Sequence, residues 1–212
     1  MTEEELIIAA KKMGIELDKN KMQQLEMFYN FLIKKNEVMN LTGITNKEEV
    51  YLKHFYDSLT LVKAMDFNNI NSVCDVGSGA GFPGIVLKIV YPHLHIVLLD
   101  AREKRIKYLN ELIEYLSLNN ITAIHTRSEE YKDEFFDCVT ARAVAPLEKL
   151  VPYCSHLIIK NGIMIAMKGH IADELEKAVK VLNKNNLFLK EKINFTLPKE
   201  NSERTLLVFN KR

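Results

Sequence analysis

The sequence lacks several features that mark particular classes of protein. It contains no tryptophan and 3 cysteines, an odd number without the spacing of a metal site. Reduced thiols in the cytoplasm are the simplest interpretation. No apolar run approaches the roughly 18 residues that a membrane-spanning helix needs. The acidic start at Thr2–Glu5 is unlike a secretory signal. We therefore predict a cytoplasmic protein without a membrane partner.

An excess of one charge is also missing. The 29 basic and 28 acidic residues give a net charge of +1, so binding of a polyanion would require a local basic patch. Aromatic residues make up 8% of the chain, which argues against a surface that stacks single-stranded bases. Hydrophobic residues make up 47%, enough for a buried core. The 212 residues favour one large domain, or one domain with a small appendage.

The first part of the chain has a helical pattern. Capping-box spacing occurs at Thr2–Glu5 and again at Thr45–Glu48, where a helix is predicted to begin and to extend to about Met65. These helices contain too few apolar residues to fold alone. We therefore predict that residues 1–65 form a helical extension packed on a domain of residues 66–212.

The second part alternates strands with helices. The predicted strands of a parallel sheet are Ser72–Val76, His95–Leu99, Thr122–His125, Asp137–Ala141 and Gly162–Met167. Crossover helices of the observed length imply an α/β, doubly wound, Rossmann-like fold. Two last strands, Leu187–Leu197 and Thr205–Asn210, are joined by a short polar loop, which predicts an antiparallel hairpin at the end of the sheet.

A glycine-rich turn follows the first predicted strand. It reads Val73-Cys-Asp-Val-Gly-Ser-Gly-Ala-Gly-Phe-Pro-Gly84, and its glycines allow backbone N–H groups to approach a ligand closely. Asp100 ends the next strand, 21 residues after Gly79, a spacing typical of an acidic residue that binds ribose hydroxyls. We predict a nucleoside cofactor; a turn that serves only tight packing is the alternative.

Three details favour S-adenosylmethionine over a nicotinamide dinucleotide. Pro83 falls in the first turn of the following helix and removes one N–H donor that a pyrophosphate would use. The sheet is predicted to end in an antiparallel hairpin. The pattern also contains no second mononucleotide-binding half of the kind that dinucleotide folds carry.

Six separated motifs carry a resemblance to a known family. They are Asn40-Leu-Thr-Gly43, His54-x-x-Asp57-Ser-Leu59, Asp75-Val-Gly-Ser-Gly-Ala-Gly-Phe-Pro-Gly84, Arg127-x-Glu129, Ala141-Arg-Ala143 and Lys168-Gly169. With these motifs the chain resembles, over roughly residues 25–210, the RsmG (GidB) family of bacterial 16S ribosomal RNA methyltransferases. The resemblance implies a class I methyltransferase fold with an N-terminal extension, S-adenosylmethionine as cofactor, and methylation of a guanine at N7.

The resemblance also implies roles for individual residues. It places cofactor contacts in the glycine turn, beside the adenosine at Ser128 and Glu129, and after the fourth strand. Ser128 departs from the family, in which alanine is common, although a backbone contact would survive that change. Together with the spacing of Asp100, the candidate cofactor-binding residues are Gly77, Gly79, Gly81, Phe82, Asp100, Ser128, Glu129 and Arg142.

Methylation at N7 makes few chemical demands on side chains. Guanine N7 has a free lone pair and no proton, so its attack on a methyl group needs alignment rather than a general base. A pyrimidine-carbon methyltransferase would need a nucleophilic cysteine, and Cys74, Cys138 and Cys154 are all predicted to lie in the core. The stretch Ala141–Pro146 differs from the Asn/Asp-Pro-Pro-aromatic turn of enzymes that methylate exocyclic amines.

Two residues are candidates for the catalytic site, although no catalytic dyad is predicted. Arg142 follows the fourth strand, where it can bind the cofactor or the O6 edge of guanine; a surface ion pair is the alternative. Lys168 ends the fifth strand and is predicted to contact RNA, with a solvated lysine as the alternative. His54 and Asp57 are one helical turn apart, which favours a structural pair over a role in a substrate cleft.

RNA contacts are predicted at a basic helix start that contains Arg102 and Arg105, although such a face is often only solvated. The predicted partner is 16S ribosomal RNA or a small-subunit ribosomal particle, bound by a monomer. Two alternatives remain open. One is a methyltransferase for another RNA, a protein or a small molecule, and the other is a nucleotide-binding module without turnover.

Overall fold

The computed structural model describes residues 1–169 and 171–212. Within these residues seven strands form one sheet in the order β3-β2-β1-β4-β5-β7-β6. The strands are β1 (Ser72–Val76), β2 (His95–Asp100), β3 (Ile121–His125), β4 (Phe136–Arg142), β5 (Ile158–Lys168), β6 (Leu187–Thr196) and β7 (Glu203–Lys211). Strands β1 to β5 are parallel, and β7 is antiparallel to both β5 and β6. The predicted Rossmann-like sheet with a C-terminal antiparallel hairpin is confirmed.

Helices cover both faces of this sheet. They are α1 (Glu3–Lys12), α2 (Lys19–Met39), α3 (Lys47–Val50), α4 (Asp57–Leu59), α5 (Gly84–Val90), α6 (Glu103–Tyr115), α7 (Leu147–Ser155) and α8 (Glu174–Lys184). Apolar residues of α2, α5 and α6 share one hydrophobic core, and those of α7 and α8 form a second core on the opposite face. The chain is thus a three-layer structure with the sheet in the middle.

Helix starts agree with the sequence at one position and differ at another. The Thr2–Glu5 capping box is present, because Thr2 Oγ1 accepts the Glu5 N–H at 3.2 Å and the Glu5 carboxylate accepts the Thr2 N–H at 2.8 Å. The second prediction is wrong by one residue. Asn46, not Thr45, caps α3, and its side-chain oxygen accepts the Glu49 N–H at 3.2 Å. Asparagine and threonine both cap well, so sequence alone does not choose between them.

The helix that follows this cap is less regular than predicted. Between α3 and α4, residues Tyr51–Tyr56 form a π-helical turn, and Thr60–Lys63 form a 3₁₀ turn after α4. The prediction of one regular helix from Thr45–Glu48 to about Met65 is therefore wrong in detail. Single π-helical turns often mark functional positions because they rotate side chains away from the regular helical register. Here the turn contains His54, which contacts the candidate site.

The N-terminal helices are joined to the sheet by aromatic packing. Phe28 of α2 is completely buried and stacks on Phe82 of the glycine turn, with ring centroids 4.9 Å apart. Leu25 and Leu32 of the same helix are also completely buried in the core that α5 and α6 share. This packing connects the conformation of the glycine turn with that of the N-terminal helices.

The three cysteines are buried and unpaired, as the sequence predicts for core residues. Burial raises the pKa of each thiol above its ordinary value, which disfavours the reactive thiolate.

The carboxyl ends of β1, β2, β4 and β5 meet at one edge of the sheet. Ligands of open α/β sheets bind at this edge.

Candidate functional site

The glycine turn after β1 is held against the end of β2. The N–H groups of Gly77 and Ser78 donate to Leu99 O at 2.8 and 3.1 Å, and the Gly79 N–H donates to Asp100 Oδ2 at 3.0 Å. Gly77 has φ +72°, a left-handed conformation that side chains disfavour. A Cβ atom on Gly77 would lie 2.6 Å from Val144 Cγ2, so a side chain at this position would have to displace Val144.

A buried carboxylate occupies the N-terminus of α5. Asp75 is fully buried, and its Oδ2 accepts the N–H of Gly84, the first residue of the helix, at 2.9 Å. Burial raises the pKa of Asp75 to about 7. In dinucleotide folds this helix end binds a pyrophosphate. Because a protein carboxylate takes that place, the turn is unsuited to a dinucleotide.

Three neighbouring cavities lie at the carboxyl edge of the sheet. The first, about 140 Å³, is lined by residues that include Gly77, Asp100, Ser128, Glu129, Val144 and Tyr153. The second, about 510 Å³, is lined by residues that include Thr42, His54, Gly77, Gly79, Phe82, Asp100, Arg102, Arg105, Arg142 and Val144. The third, about 350 Å³, is lined by residues that include Lys53, His54, Asp57, Arg142, Lys168 and Arg204. Gly77 and Val144 line both the first and the second cavity, and His54 and Arg142 line both the second and the third.

The structure brings most candidate cofactor residues to the first two cavities. Gly81 is placed differently. It has φ +96°, and a Cβ atom there would lie 2.7 Å from Ile85 Cγ1, so this glycine permits close packing of the turn on α5. The cofactor-contact role of each candidate remains a prediction.

Asp100 anchors the groups around the second cavity. Its Oδ2 accepts the Gly79 N–H and an Arg105 guanidinium N–H at 3.1 Å, and its Oδ1 accepts the Arg102 N–H at 2.9 Å. Asp100 is only 4% exposed. Arg105, predicted to bind RNA, thus pairs with Asp100 and also lines the second cavity. The predicted ribose contact would use the lone pairs that these donors leave on Asp100.

The ring of Phe82 packs against two polar side chains, His54 and Arg142. Its ring stacks on His54 with centroids 4.5 Å apart, and the Arg142 guanidinium lies 5.0 Å from its centroid. The ring itself is only 4% exposed. A cation over an aromatic face is stabilised by the ring quadrupole, more strongly when water is excluded. Phe82 therefore positions His54 and Arg142 in addition to lining the second cavity.

Asp57 lies between two arginines. Its Oδ2 accepts from Arg142 Nη1 at 3.2 Å and its Oδ1 accepts from Arg204 Nε at 3.0 Å, while the residue is 4% exposed. Arg142 Nη1 also donates to Lys53 O at 3.2 Å. The side chain of Arg142 is 17% exposed. Arg142 thus forms the ion pair that the sequence offered as an alternative, but inside the protein and at a cavity wall.

His54 contacts Arg142 through one ring nitrogen and Thr42 through the other. Nδ1 lies 3.3 Å from Arg142 Nη2, and Nε2 lies 2.9 Å from Thr42 Oγ1. Arginine can only donate, whereas Lys53 O, 3.2 Å from the same Nδ1, can only accept, so Nδ1 faces both a donor and an acceptor. Burial and the Arg142 charge lower the pKa of His54 to about 3. His54 and Asp57 thus each contact Arg142, whereas the sequence predicted that they pair with each other.

Comparison with known proteins now identifies the family. A family model described as rRNA small subunit methyltransferase G matches residues 21–206. The chain belongs to this family. It is 44% identical over 217 residues to the ribosomal RNA small subunit methyltransferase G of Bacillus subtilis (strain 168), covering 100% of this chain and 91% of that protein. The enzyme of the same description from Bacillus cytotoxicus is 46% identical over 208 residues, covering 94% and 86%. The resemblance stated from the motifs is confirmed.

Solved structures agree with this family at the level of fold. The N-methyltransferase NodS of Bradyrhizobium japonicum WM9 in complex with S-adenosyl-L-homocysteine has a TM-score of 0.57 and 14% identity, covering 87% of this chain and 98% of that chain. A ribosomal protein L11 methylase from Lactobacillus delbrueckii has a TM-score of 0.57 and 18% identity, covering 80% and 81%. The chain therefore has the fold of S-adenosylmethionine-dependent methyltransferases, as predicted.

A metal site and a membrane-spanning helix are both absent from the part of the chain that the structure describes. No group of three or more His, Cys, Asp or Glu side chains in residues 1–169 and 171–212 is arranged to hold a metal ion. None of the helices that the structure describes is long and apolar enough to cross a membrane.

Lys168 is held by its neighbours. Its Nζ donates to Ala145 O at 2.6 Å and to Glu174 Oε2 at 2.8 Å, and its side chain is 10% exposed. The lysine thereby connects the loop after β4 with α8 while it lines the third cavity. The predicted contact with RNA remains a prediction, and an RNA phosphate would have to compete with the Glu174 carboxylate.

Several residues of the site were missed by sequence reasoning. They are Thr42, Val144, Tyr153 and Arg204. Thr42 belongs to the motif Asn40–Gly43, and that motif is the signal by which sequence reasoning could have found it. Arg204 belongs to the last strand and carries no local signal, because only the pairing of β7 with β5 brings it to Asp57.

We expect His54 to remain neutral in the folded protein down to about pH 4. NMR spectra of the imidazole ring between pH 4 and 8 should show no titration step for His54, whereas the ring in urea should titrate near its ordinary pKa of roughly 6.5. Because the unfolded state takes up this proton first, the contribution of His54 lowers stability as the pH falls from about 6.5 towards 3. A step near pH 6.5 in the folded protein would contradict the assigned contact with Arg142.

Proposed function

We propose that the protein transfers a methyl group from S-adenosylmethionine to N7 of a guanine in 16S ribosomal RNA. The observation that carries this proposal is the second cavity, which the glycine turn and Arg142 both line. Membership of the methyltransferase G family supports the cofactor and the class of RNA. The N7 position rests on the resemblance to the family and on the chemistry of the site.

The residues of the first two cavities fit the cofactor. The adenosine would lie against Ser128 and Glu129 in the first cavity, and the amino-acid part against the glycine turn in the second. S-adenosylmethionine supplies a methyl group bound to a positively charged sulfur. Because Gly77 has no Cβ atom, the turn can pack against Val144, and both residues line the first two cavities.

The acceptor would enter from the third cavity and meet Arg142 at its boundary with the second. Arginine donates well to the O6 and N7 edge of guanine, and a donor on O6 leaves N7 free to react. Asp57, Lys53 O and His54 Nδ1 hold the guanidinium in place for this contact. A donor fixed in advance needs no reorganisation during the reaction.

No general base is needed in this mechanism, and the site agrees with that. His54 is neutral, but both of its ring nitrogens already lie within hydrogen-bond distance of protein groups, Nδ1 of Arg142 and Lys53 O and Nε2 of Thr42 Oγ1. The contribution of the protein is therefore alignment of the acceptor with the methyl group and exclusion of water.

Methyl transfer in vitro tests this proposal. The purified protein is incubated with tritiated S-adenosylmethionine and either 16S ribosomal RNA or small-subunit particles from cells that lack the protein. We expect label in 7-methylguanosine after digestion and mass spectrometry, and no uptake by RNA from cells that contain the protein. Label in another nucleoside would overturn the N7 assignment. Cofactor binding without transfer to either substrate would favour the non-catalytic alternative or another acceptor.

We further propose that the protein acts as a monomer in the cytoplasm, where ribosomal RNA is located. The balanced net charge of +1 supports a target presented by a folded RNA or particle over strong binding of naked RNA. Sedimentation at micromolar concentration should give the 24.5 kDa mass of one chain, and a stable dimer would overturn this part of the proposal.

We also propose that residues 1–65 are an extension of a domain formed by residues 66–212, and not an independent domain. The stacking of Phe28 on Phe82 and the shared core support this. Urea unfolding followed by far-UV circular dichroism should therefore show one cooperative transition. Two transitions, or a stably folded fragment 1–65, would contradict the assignment.

A further inference from the structure

A fourth cavity extends the row of cavities beyond the sites discussed so far. Its volume is about 520 Å³, and it is lined by Ile171, Ala172, Lys192, Asn194, Phe195, Thr196, Glu203, Arg204 and Thr205. Arg204 lines both the third and the fourth cavity. The fourth cavity therefore neighbours the third, through which the acceptor base is proposed to enter.

The sheet register explains why these cavities are aligned. Lys168 at the end of β5 pairs with Thr205 of β7, and Thr205 pairs with Asn194 of β6. The carboxyl edge that holds the glycine turn and Arg142 thus continues across the hairpin. A chain-like ligand that enters at Arg142 would meet the fourth cavity next along this edge.

The side chains of the fourth cavity are those that bind nucleotides. Lys192 is a cation that suits a phosphate. The Arg204 guanidinium is held by Asp57 and by Glu203 O, and Lys63 Nζ lies 5.5 Å from the centroid of the Phe195 ring, so both of these side chains already have partners in the protein. The Thr205 hydroxyl donates to Asn194 Oδ1 at 2.9 Å, which fixes the Asn194 amide at the cavity wall.

We propose that the fourth cavity binds a nucleotide adjacent to the target guanosine in the RNA strand. The proposal rests on the proposed function, because it requires that the acceptor is RNA and that the target base enters through the third cavity. Neighbouring nucleotides are covalently linked, so a target base at Arg142 would bring the next nucleotide along this edge of the sheet towards Lys192. The hairpin is then a substrate-binding element in addition to the edge of the sheet.

The test uses substitutions that affect the fourth cavity alone. Lys192→Ala is expected to raise KM for RNA on the order of tenfold, equivalent to one lost contact, with kcat and cofactor affinity unchanged. The slope of the logarithm of the RNA-binding constant against the logarithm of salt concentration is negative, and its magnitude should fall by roughly 0.7, as for the loss of one single-strand phosphate contact. Asn194→Ala should raise KM without changing that slope. Lys192→Arg keeps the positive charge, so its KM for RNA should be close to that of the wild type and below that of Lys192→Ala.

Lys190→Ala is the matched control. Lys190 is exposed on the same strand, β6, but lies outside the lining of the cavity. If Lys192→Ala and Lys190→Ala change KM equally, or neither changes it, the fourth cavity is not a nucleotide site and the inference is overturned. The proposed function survives that result, since wild-type transfer to RNA is measured in the same assay. Absence of wild-type transfer would instead remove the proposed function and the inference with it.

Discussion

Replacement of Gly77 by valine is expected to abolish binding of S-adenosylmethionine. The residue has φ +72°, and its Cβ position lies 2.6 Å from Val144 Cγ2, so a branched side chain must displace Val144 and intrude on the first and second cavities, which both residues line. Isothermal titration calorimetry should detect no binding by the variant at cofactor concentrations that saturate the wild type.

Gly14→Val is the control for backbone strain in this experiment. Gly14 has φ +78°, like Gly77, but no atom lies within 4 Å of its Cβ position. Both variants should lose about 1–2 kcal/mol of stability from the left-handed conformation. Only Gly77→Val should lose cofactor binding. Equal loss of cofactor binding in both variants would show global destabilisation. Retained binding in Gly77→Val would refute the assigned cofactor path.

Replacement of Arg142 by alanine is expected to lower kcat at least on the order of 100-fold, which is typical for loss of a preorganised donor. Arg142 lies at the boundary of the second and third cavities and is held by Asp57, Lys53 O and His54. Its loss removes the proposed donor to guanine O6 and frees His54 to turn. Single-turnover methyl transfer at saturating RNA and cofactor measures this effect on the chemical step.

Arg204→Ala separates catalysis from stability in this comparison. Each variant leaves Asp57 with one arginine instead of two, and breaking such a pair costs about 3–5 kcal/mol when it is fully buried. The cost should be smaller here, since the arginines are 17% and 24% exposed. We expect comparable losses in thermal unfolding but a loss of kcat for Arg142→Ala alone. If the two variants lose kcat equally, Arg142 is a structural residue.

Local patterns were sufficient for much of the fold. The run Ser72–Val76 was predicted as a strand from its apolar residues and the following glycines, and the structure has β1 at those residues. The antiparallel hairpin followed from two strands without an intervening helix. Errors occurred where two residues serve one role equally well, as at Thr45 and Asn46, or where tertiary packing overrides helical regularity, as at Tyr51–Tyr56.

The sequence by itself determined the class of fold, the glycine turn, and through its motifs the family and the cofactor. These properties depend on neighbours along the chain, since φ preferences, helix caps and strand alternation act over a few residues. Only the tertiary structure decided that Asp57 lies between Arg142 and Arg204, that His54 is neutral, and that the cavities run on to the hairpin. These properties depend on sheet register and burial, which bring together residues that are far apart in the chain and remove them from water.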